Sequence, residues 1–141
     1  MPTTDEMKAT VQAYAAAHTA KDADAIVALF AEDCVVADPV DRPEMVGRAA
    51  VRDFFAGTHE MSEGFELKVT GPIRAVDRFA AVPLRAETSM GGSTFAVDII
   101  DLFTFGDDGL ITEMRAYWAA SEIAQLGGGR HRGPHAVPRR R

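Results

Sequence analysis

Apolar and polar residues alternate along Phe95–Phe105, a stretch rich in aromatic and β-branched side chains that predicts a strand. Successive side chains of a strand point to opposite faces, so odd and even positions separate. Every odd position is apolar except Asp101, whereas the even positions include Asp98 and Thr104. If the odd face points inward, Asp101 enters an apolar wall, where a carboxyl group must find a partner or keep its proton. A function for this chain has to explain that carboxyl group.

The first half of the chain has helical spacing and helix-capping residues. Thr3 and Glu6 have the spacing of a capping box, and an apolar stripe of Met7, Val11, Tyr14 and His18 follows at helical intervals. The predicted elements are a helix over about 4–20, a second helix from Asp22 through Phe30, a strand over Cys34–Asp38 stopped by Pro39, a loop over 39–46, and a third helix over about 48–57.

The second half alternates with the period of strands. Strands are predicted around 65–70, 80–87, 95–105 and 110–120, with turns at Gly91-Gly92 and at Asp107-Asp108-Gly109. Helices followed by antiparallel strands are typical of an α+β fold. We therefore predict a cone-shaped, curved antiparallel sheet wrapped around the N-terminal helices, with a conical pocket between them.

Composition and charge narrow the classes of function. Five of the 15 Lys and Arg residues lie in the last fifteen positions, which contain no acid, so residues 1–126 carry ten basic and 21 acidic side chains, a net charge of −11. Such a surface repels nucleic acid, and no apolar run approaches the roughly 20 residues of a membrane span. We predict one domain over 1–126, a flexible basic tail over 127–141, and a cytoplasmic protein without nucleic-acid or membrane partners.

Three residues could carry chemistry, and each also has an ordinary structural interpretation. Asp38 before Pro39 is either a turn-initiating aspartate or a general base at a pocket mouth. Tyr14 is either a core tyrosine or a hydrogen-bond donor in the pocket, and Asp101 either joins strands or acts as a neutral carboxylic acid. His18, one turn beyond Tyr14, lies either near the pocket opening or, the favoured interpretation, on the helix surface, and Cys34 is interpreted as a buried free thiol. No spacing of His or Cys suggests a metal site.

Over about residues 5–122 the chain resembles the bacterial ketosteroid isomerases (steroid Δ5-isomerases) of the nuclear-transport-factor-2-like superfamily. The order Tyr14, Asp38, Asp101 carries the most specific part of the resemblance. The segments that carry the rest are Asp22–Asp33, Ala37–Val40, Gly47-Arg48, Thr70–Ala75, Val97–Asp101 and Met114–Trp118.

The resemblance implies a steroid Δ5-isomerase that needs neither cofactor nor metal. Asp38 corresponds to the base that moves a proton from C4 to C6, and Tyr14 and a protonated Asp101 correspond to the donors at the C3 oxygen. It also implies a steroid-like substrate, a homodimer through the outer sheet face, and pocket walls that include Phe55, Val82, Leu84, Ile99, Met114, Ala116 and Trp118.

Phe55 departs from the family pattern. Well-known members have a tyrosine here whose hydroxyl supports the oxyanion tyrosine, so Tyr14 is expected to lack that partner. The alternatives are a polyketide-cyclase-like or dehydratase-like enzyme of the same fold, and a steroid-binding protein with little turnover.

Overall fold

The computed structural model describes residues 1–126, so the predicted tail at 127–141 lies outside the described residues. The elements in chain order are α1 Thr4–Thr19, α2 Ala23–Val27, β1 Phe30–Ala37, β2 Met45–Val46, α3 Arg48–Glu60, β3 Gly64–Val69, β4 Arg74–Val76, β5 Phe79–Met90, β6 Ser93–Phe105, β7 Ile111–Tyr117, a short 3-10 helix Ala120–Glu122, and β8 Ala124–Gln125.

Helix α1 begins where the capping residues place it. The Thr3 hydroxyl accepts a hydrogen bond from the Glu6 backbone N–H at 3.1 Å, and the Glu6 carboxylate accepts one from the Thr3 N–H at 2.8 Å. Both bonds satisfy N–H groups that the first turn of a helix leaves unpaired. The predicted stripe of α1 is buried, and this orients Tyr14 toward the sheet.

The sheet has the strand order β2-β1-β7-β6-β5-β3, with β4 paired to β5 and β8 paired to β6. The predicted α+β class and curved sheet are confirmed, but one neighbouring pair differs from the antiparallel prediction. Strand β1 runs parallel to β7, with Ala37 opposite Arg115. Alternation reports which face a side chain occupies but not the direction of the strand, and parallel neighbours need a long crossover connection.

Several boundaries also differ from the prediction. Helix α2 ends at Val27, and Phe30 begins β1 rather than continuing the helix. The short strands β2, β4 and β8 were not predicted, because two or three residues are too few to show a period. None of these differences moves the predicted central strand.

The prediction that odd-numbered side chains of β6 point inward, Asp101 among them, is confirmed. Asp101, Phe103 and Phe105 are buried on the inner face, whereas Ile100 and Leu102 are 52% and 40% exposed on the outer face. The Tyr14 and Phe103 ring centroids lie 5.2 Å apart, which places α1 against the inner face of β6. The core therefore lies between α1 and the sheet, and Asp101 belongs to its wall.

Candidate active site

The three chemistry candidates line one cavity of about 220 Å³ between the helices and the inner face of the sheet. The residues around it are mainly aromatic and aliphatic. They are Tyr14, His18, Asp38, Phe54, Phe55, Thr58, Phe65, Leu67, Ala86, Thr88, Val97, Ile99, Asp101, Ala116, Trp118 and Ile123. An apolar pocket with a few converging polar groups is the usual form of a small-molecule site.

Two other concavities help to define this site. A second cavity of about 340 Å³ shares Ala86, Thr88, Val97 and Ile123 with the first, so the two adjoin. A larger concavity of about 710 Å³ borders Phe79 and contains none of the three candidates, so its size does not make it the site of chemistry.

Tyr14 offers an unengaged hydroxyl to the cavity. Its side chain is 2% exposed, and within residues 1–126 the hydroxyl makes no hydrogen bond. Phe55 packs perpendicular to Tyr14 with ring centroids 6.3 Å apart, which agrees with the expected loss of a hydroxyl partner. Burial raises the pKa of Tyr14 well above its ordinary value, and the negative charge of a nearby carboxylate, Asp38, adds to this effect. Tyr14 is therefore a neutral phenol with its hydrogen available.

Asp101 is a buried carboxyl group with one unpartnered oxygen. It is 3% exposed, it stands opposite Val82 and Ala116 on the flanking strands, and its Oδ1 has no partner in the described part of the chain. Burial raises the pKa of Asp101 well above its ordinary value, and the charge of Asp38 adds to this effect. The neutral form is favoured, and a protonated carboxyl group donates a hydrogen bond.

Asp38 follows the last residue of β1 and is held by β7. Its Oδ1 accepts a hydrogen bond from the indole Nε1–H of Trp118 at 2.7 Å, and the N–H of Val40 donates to the Ala116 carbonyl at 2.9 Å. Burial raises the pKa of Asp38, and the Trp118 hydrogen bond opposes this by lowering it. Since a hydrogen bond to the charged form favours that form, Asp38 is the carboxyl group of the site best able to act as a base.

The predicted wall residues fall into two groups. Phe55, Ile99, Ala116 and Trp118 line the cavity. Val82, Leu84 and Met114 are at most 1% exposed and pack in the core, but they are not among the residues around the cavity. An odd or even position along a strand assigns a side chain to the inner face of the sheet. It does not say whether that part of the face is covered by the helices or borders the cavity.

His18 was predicted on the helix surface, and the structure contradicts this. The side chain is 4% exposed, lines the cavity, and has its Nδ1 3.1 Å from Nε2 of the equally buried His59. The signal was present in the sequence, because His18 follows Tyr14 by one helical turn on the apolar stripe. Thr58 and Thr88, which also line the cavity, had no such signal.

Two further properties concern residues 1–126 alone. No group of three or more His, Cys, Asp or Glu side chains in this range could hold a metal ion. No helix in the same range has both the length and the apolar character needed to span a membrane.

Comparison with known proteins agrees with the fold and with the resemblance. The model of the SnoaL-like domain matches residues 11–114. The chain belongs to the SnoaL-like domain family. A steroid Delta-isomerase of Nocardioides simplex is 37% identical over 118 residues, which cover 84% of this chain and 94% of that protein. The predicted membership in the ketosteroid isomerase group of this fold is thereby confirmed.

A solved structure shares the architecture. The epoxide hydrolase/cyclase-like enzyme SalBIII, which has a role in pyran ring formation in the polyether salinomycin, superposes with a TM-score of 0.76. Its identity to this chain is 28%, and the match covers 84% of this chain and 95% of that structure. The fold is thus shared with enzymes of different chemistry, so the choice among functions depends on the site.

Proposed function

We propose that the chain is a steroid Δ5-isomerase that moves the double bond of 3-oxo-Δ5-steroids into conjugation. The observation that carries the proposal is the meeting, in one apolar cavity, of a hydrogen-bonded carboxylate at Asp38 with two neutral donors at Tyr14 and Asp101. A β,γ-unsaturated ketone needs one base, two donors to its oxygen and little water. The similarity to the Nocardioides simplex steroid Delta-isomerase supports the same assignment.

The proposed steps conserve protons and electrons. The Asp38 carboxylate removes a proton from C4, and the electrons of that C–H bond move toward the C3 oxygen to give a dienolate. Tyr14 and protonated Asp101 donate hydrogen bonds to that oxygen, where charge develops. Asp38 then returns the proton to C6, and the carbonyl re-forms as a conjugated enone.

The contrast between the two carboxyl groups supports their different roles. Asp38 has an N–H donor that stabilises its charged form, whereas the buried Oδ1 of Asp101 receives no hydrogen bond from any residue of 1–126. Different environments therefore favour a base at one position and a neutral acid at the other.

The direct test is turnover of 5-androstene-3,17-dione, followed by ultraviolet absorbance of the conjugated enone. Removing a positioned general base costs about 10²–10⁴-fold in rate, so Asp38→Asn should lose most turnover while it still binds steroid. Near-parental turnover in Asp38→Asn would mean that Asp38 is only a turn residue.

A second test concerns the donors. Asp101→Asn keeps a donor and Asp101→Leu removes it, so the asparagine variant should keep much more activity; loss of one oxyanion donor costs about 10²–10³-fold. A phenol or an equilenin-like dienol mimic, whose oxygen stands in for the enolate, should bind more weakly to Tyr14→Phe and Asp101→Leu but not to Asp38→Asn. Equal losses in both Asp101 variants, or parental affinity in the Tyr14 and Asp101 variants, would refute the oxyanion hole.

The similarity to SalBIII favours a second candidate function, a polyketide-cyclase-like enzyme that uses the same acid and base. Tight steroid binding without turnover would instead favour a steroid-binding protein. The enone assay separates both from an isomerase, because neither produces the new absorbance.

We also propose that the protein forms a homodimer through the outer face of the sheet. Ile100 stands opposite Tyr117 on this face, and both are about half exposed, as is Phe79. Contiguous exposed apolar side chains are typical of interaction surfaces. Light scattering should give a dimer for the parent and a monomer for Ile100→Glu; a monomeric parent would refute this proposal.

A further inference from the structure

Two buried histidines, His18 of α1 and His59 of α3, connect the cavity with the opposite surface of the helices. Their rings are 4% and 5% exposed, and His18 Nδ1 lies 3.1 Å from His59 Nε2. His18 lines the cavity beside Tyr14, whereas His59 borders a surface groove together with Lys21. The outer nitrogen of each ring, His18 Nε2 and His59 Nδ1, is buried and has no hydrogen-bond partner within residues 1–126.

The pair is neutral. Burial, followed by the effect of His59, lowers the pKa of His18 to about 3, and burial together with the charge of Lys21 lowers the pKa of His59. A neutral imidazole carries one N–H, so one ring donates to the other. One outer nitrogen then carries a hydrogen and the other carries a lone pair, which leaves two alternative tautomers.

Lys21 favours one of these tautomers. Its ammonium group donates to the Ser62 carbonyl at 2.7 Å and lies on the groove side of the pair, where its positive charge disfavours an N–H on the outer nitrogen of His59. The His59 hydrogen therefore belongs on Nε2, where it donates to His18 Nδ1. His18 consequently carries its own hydrogen on Nε2.

Aromatic packing around His18 agrees with that assignment. The His18 ring stands nearly perpendicular to Tyr14 and to Phe55, with a centroid distance of 4.6 Å in each pair. A ring edge that bears an N–H interacts favourably with the face of an aromatic ring. The perpendicular packing is compatible with an N–H at Nε2 that meets an aromatic face, and no donor within residues 1–126 pairs with a lone pair there.

Tyr14 depends on this packing because its hydroxyl has no partner among the described residues. Its ring is held by perpendicular neighbours, with His18 at 4.6 Å and Phe103 at 5.2 Å. Rotation about χ2 of a histidine is broad and nearly two-fold, so the hydrogen bond from His59 selects one orientation of His18. We infer that the His18–His59 pair positions the Tyr14 hydroxyl in the cavity, replacing the support that Phe55 cannot give.

The inference rests on the proposed role of Tyr14 as an oxyanion donor, and it makes His59 a positioning residue outside the cavity. His59→Leu removes the donor to His18, whereas the amide of His59→Gln can still donate. We expect kcat for 5-androstene-3,17-dione to fall about two- to tenfold in His59→Leu, the value of one neutral hydrogen bond, with KM little changed. His59→Gln should recover most of this loss, and phenol affinity should follow kcat.

The ¹⁵N chemical shifts of the histidine rings provide a readout that does not depend on turnover. The parent and His59→Gln should show His18 protonated at Nε2, and His59→Leu should show a mixture of tautomers. A parent protein with His18 protonated at Nδ1 would overturn the tautomer assignment without any variant. A folded His59→Leu protein in which His18 is a mixture of tautomers but phenol affinity equals that of the parent would overturn the positioning role.

These results separate the inference from the proposed function. If the chain has no isomerase turnover, phenol affinity and the ¹⁵N shifts still report on Tyr14 and His18. If His59→Leu and His59→Gln lose phenol affinity equally while both remain folded, the hydrogen bond is not what positions Tyr14, and the inference fails even when the isomerase assay succeeds.

Discussion

Asp101→Asn should make the protein more stable near neutral pH, and by an amount that depends on pH. The parent side chain is 3% exposed, its Oδ1 has no hydrogen-bond partner among the residues that the structure describes, and burial raises its pKa well above the ordinary value. Between the unfolded pKa of about 3.9 and the raised folded pKa, the folded protein keeps a proton that the unfolded chain releases. The contribution of Asp101 to folding stability is therefore fully present below about pH 4 and is lost as the pH rises through the raised folded pKa.

The magnitude follows from proton linkage. Each pH unit inside this window removes about 1.4 kcal/mol from the unfolding free energy of the parent. Asparagine has nearly the same shape but no titration, so between about pH 5 and about pH 7 the stability difference between Asp101→Asn and the parent should grow by about 1.4 kcal/mol for each pH unit that lies inside this window. The charge of Asp38 acts in the same direction on Asp101 and does not reverse the sign.

Urea unfolding followed by the fluorescence of the single tryptophan, Trp118, measures this difference. Asp98→Asn is a matched control, because Asp98 lies on the outer face of the same strand with its side chain 79% exposed. A surface ion pair such as Asp98 with Arg85 contributes about 0–1 kcal/mol, so this control should show a much smaller pH dependence. If the unfolding free energies of Asp101→Asn and the parent change with pH by the same amount between these pH values, Asp101 is not held neutral in the fold.

Three further predictions concern other parts of the molecule. Trp118→Phe removes the N–H that lowers the pKa of Asp38, so the acid limb of the kcat/KM profile should move to higher pH; an unmoved limb would contradict this. Thr3→Ala removes the cap of α1 and should cost about 1 kcal/mol, visible by circular dichroism as a melting temperature lower by a few degrees, and an unchanged melting curve would show that the cap adds nothing. Gly47 has φ +95°, which strains other residues, so Gly47→Ala should lower the urea midpoint, whereas Gly57→Ala within α3, where a Cβ meets open space, should raise it; the opposite order would refute the reasoning.

The sequence predicted the residues whose position follows from a local period. Strict alternation in β6 placed Asp101 on the inner face, and helical spacing placed Tyr14 on the buried side of α1. Both periods are local properties of the sequence, so one amino-acid sequence is sufficient to predict them.

Features that depend on distant partners were missed or misplaced. The contact of His18 with His59 spans 41 residues, and the Trp118 N–H that binds Asp38 comes from 80 residues away, so neither contact has a local signal. Val82 and Met114, which the family resemblance implied as pocket walls, pack in the core, because an inward position on a strand does not fix how deep the side chain lies beneath the helices. Long-range contacts and the depth of a side chain in the core are determined only when the helices and strands pack together.

The parallel pairing of β1 with β7 has a consequence for folding kinetics. It joins the N-terminal third of the chain to its last long strand, and the hydrogen bond from Trp118 to Asp38 forms at the end of this pair. Closing so long a loop is entropically costly and is typical of slow, non-local folding steps. The complete cavity therefore forms only when that loop has closed. A small molecule that binds in the cavity should accordingly slow unfolding and leave the folding rate nearly unchanged, with a stabilisation of about 2.7 kcal/mol at a ligand concentration about a hundred times Kd.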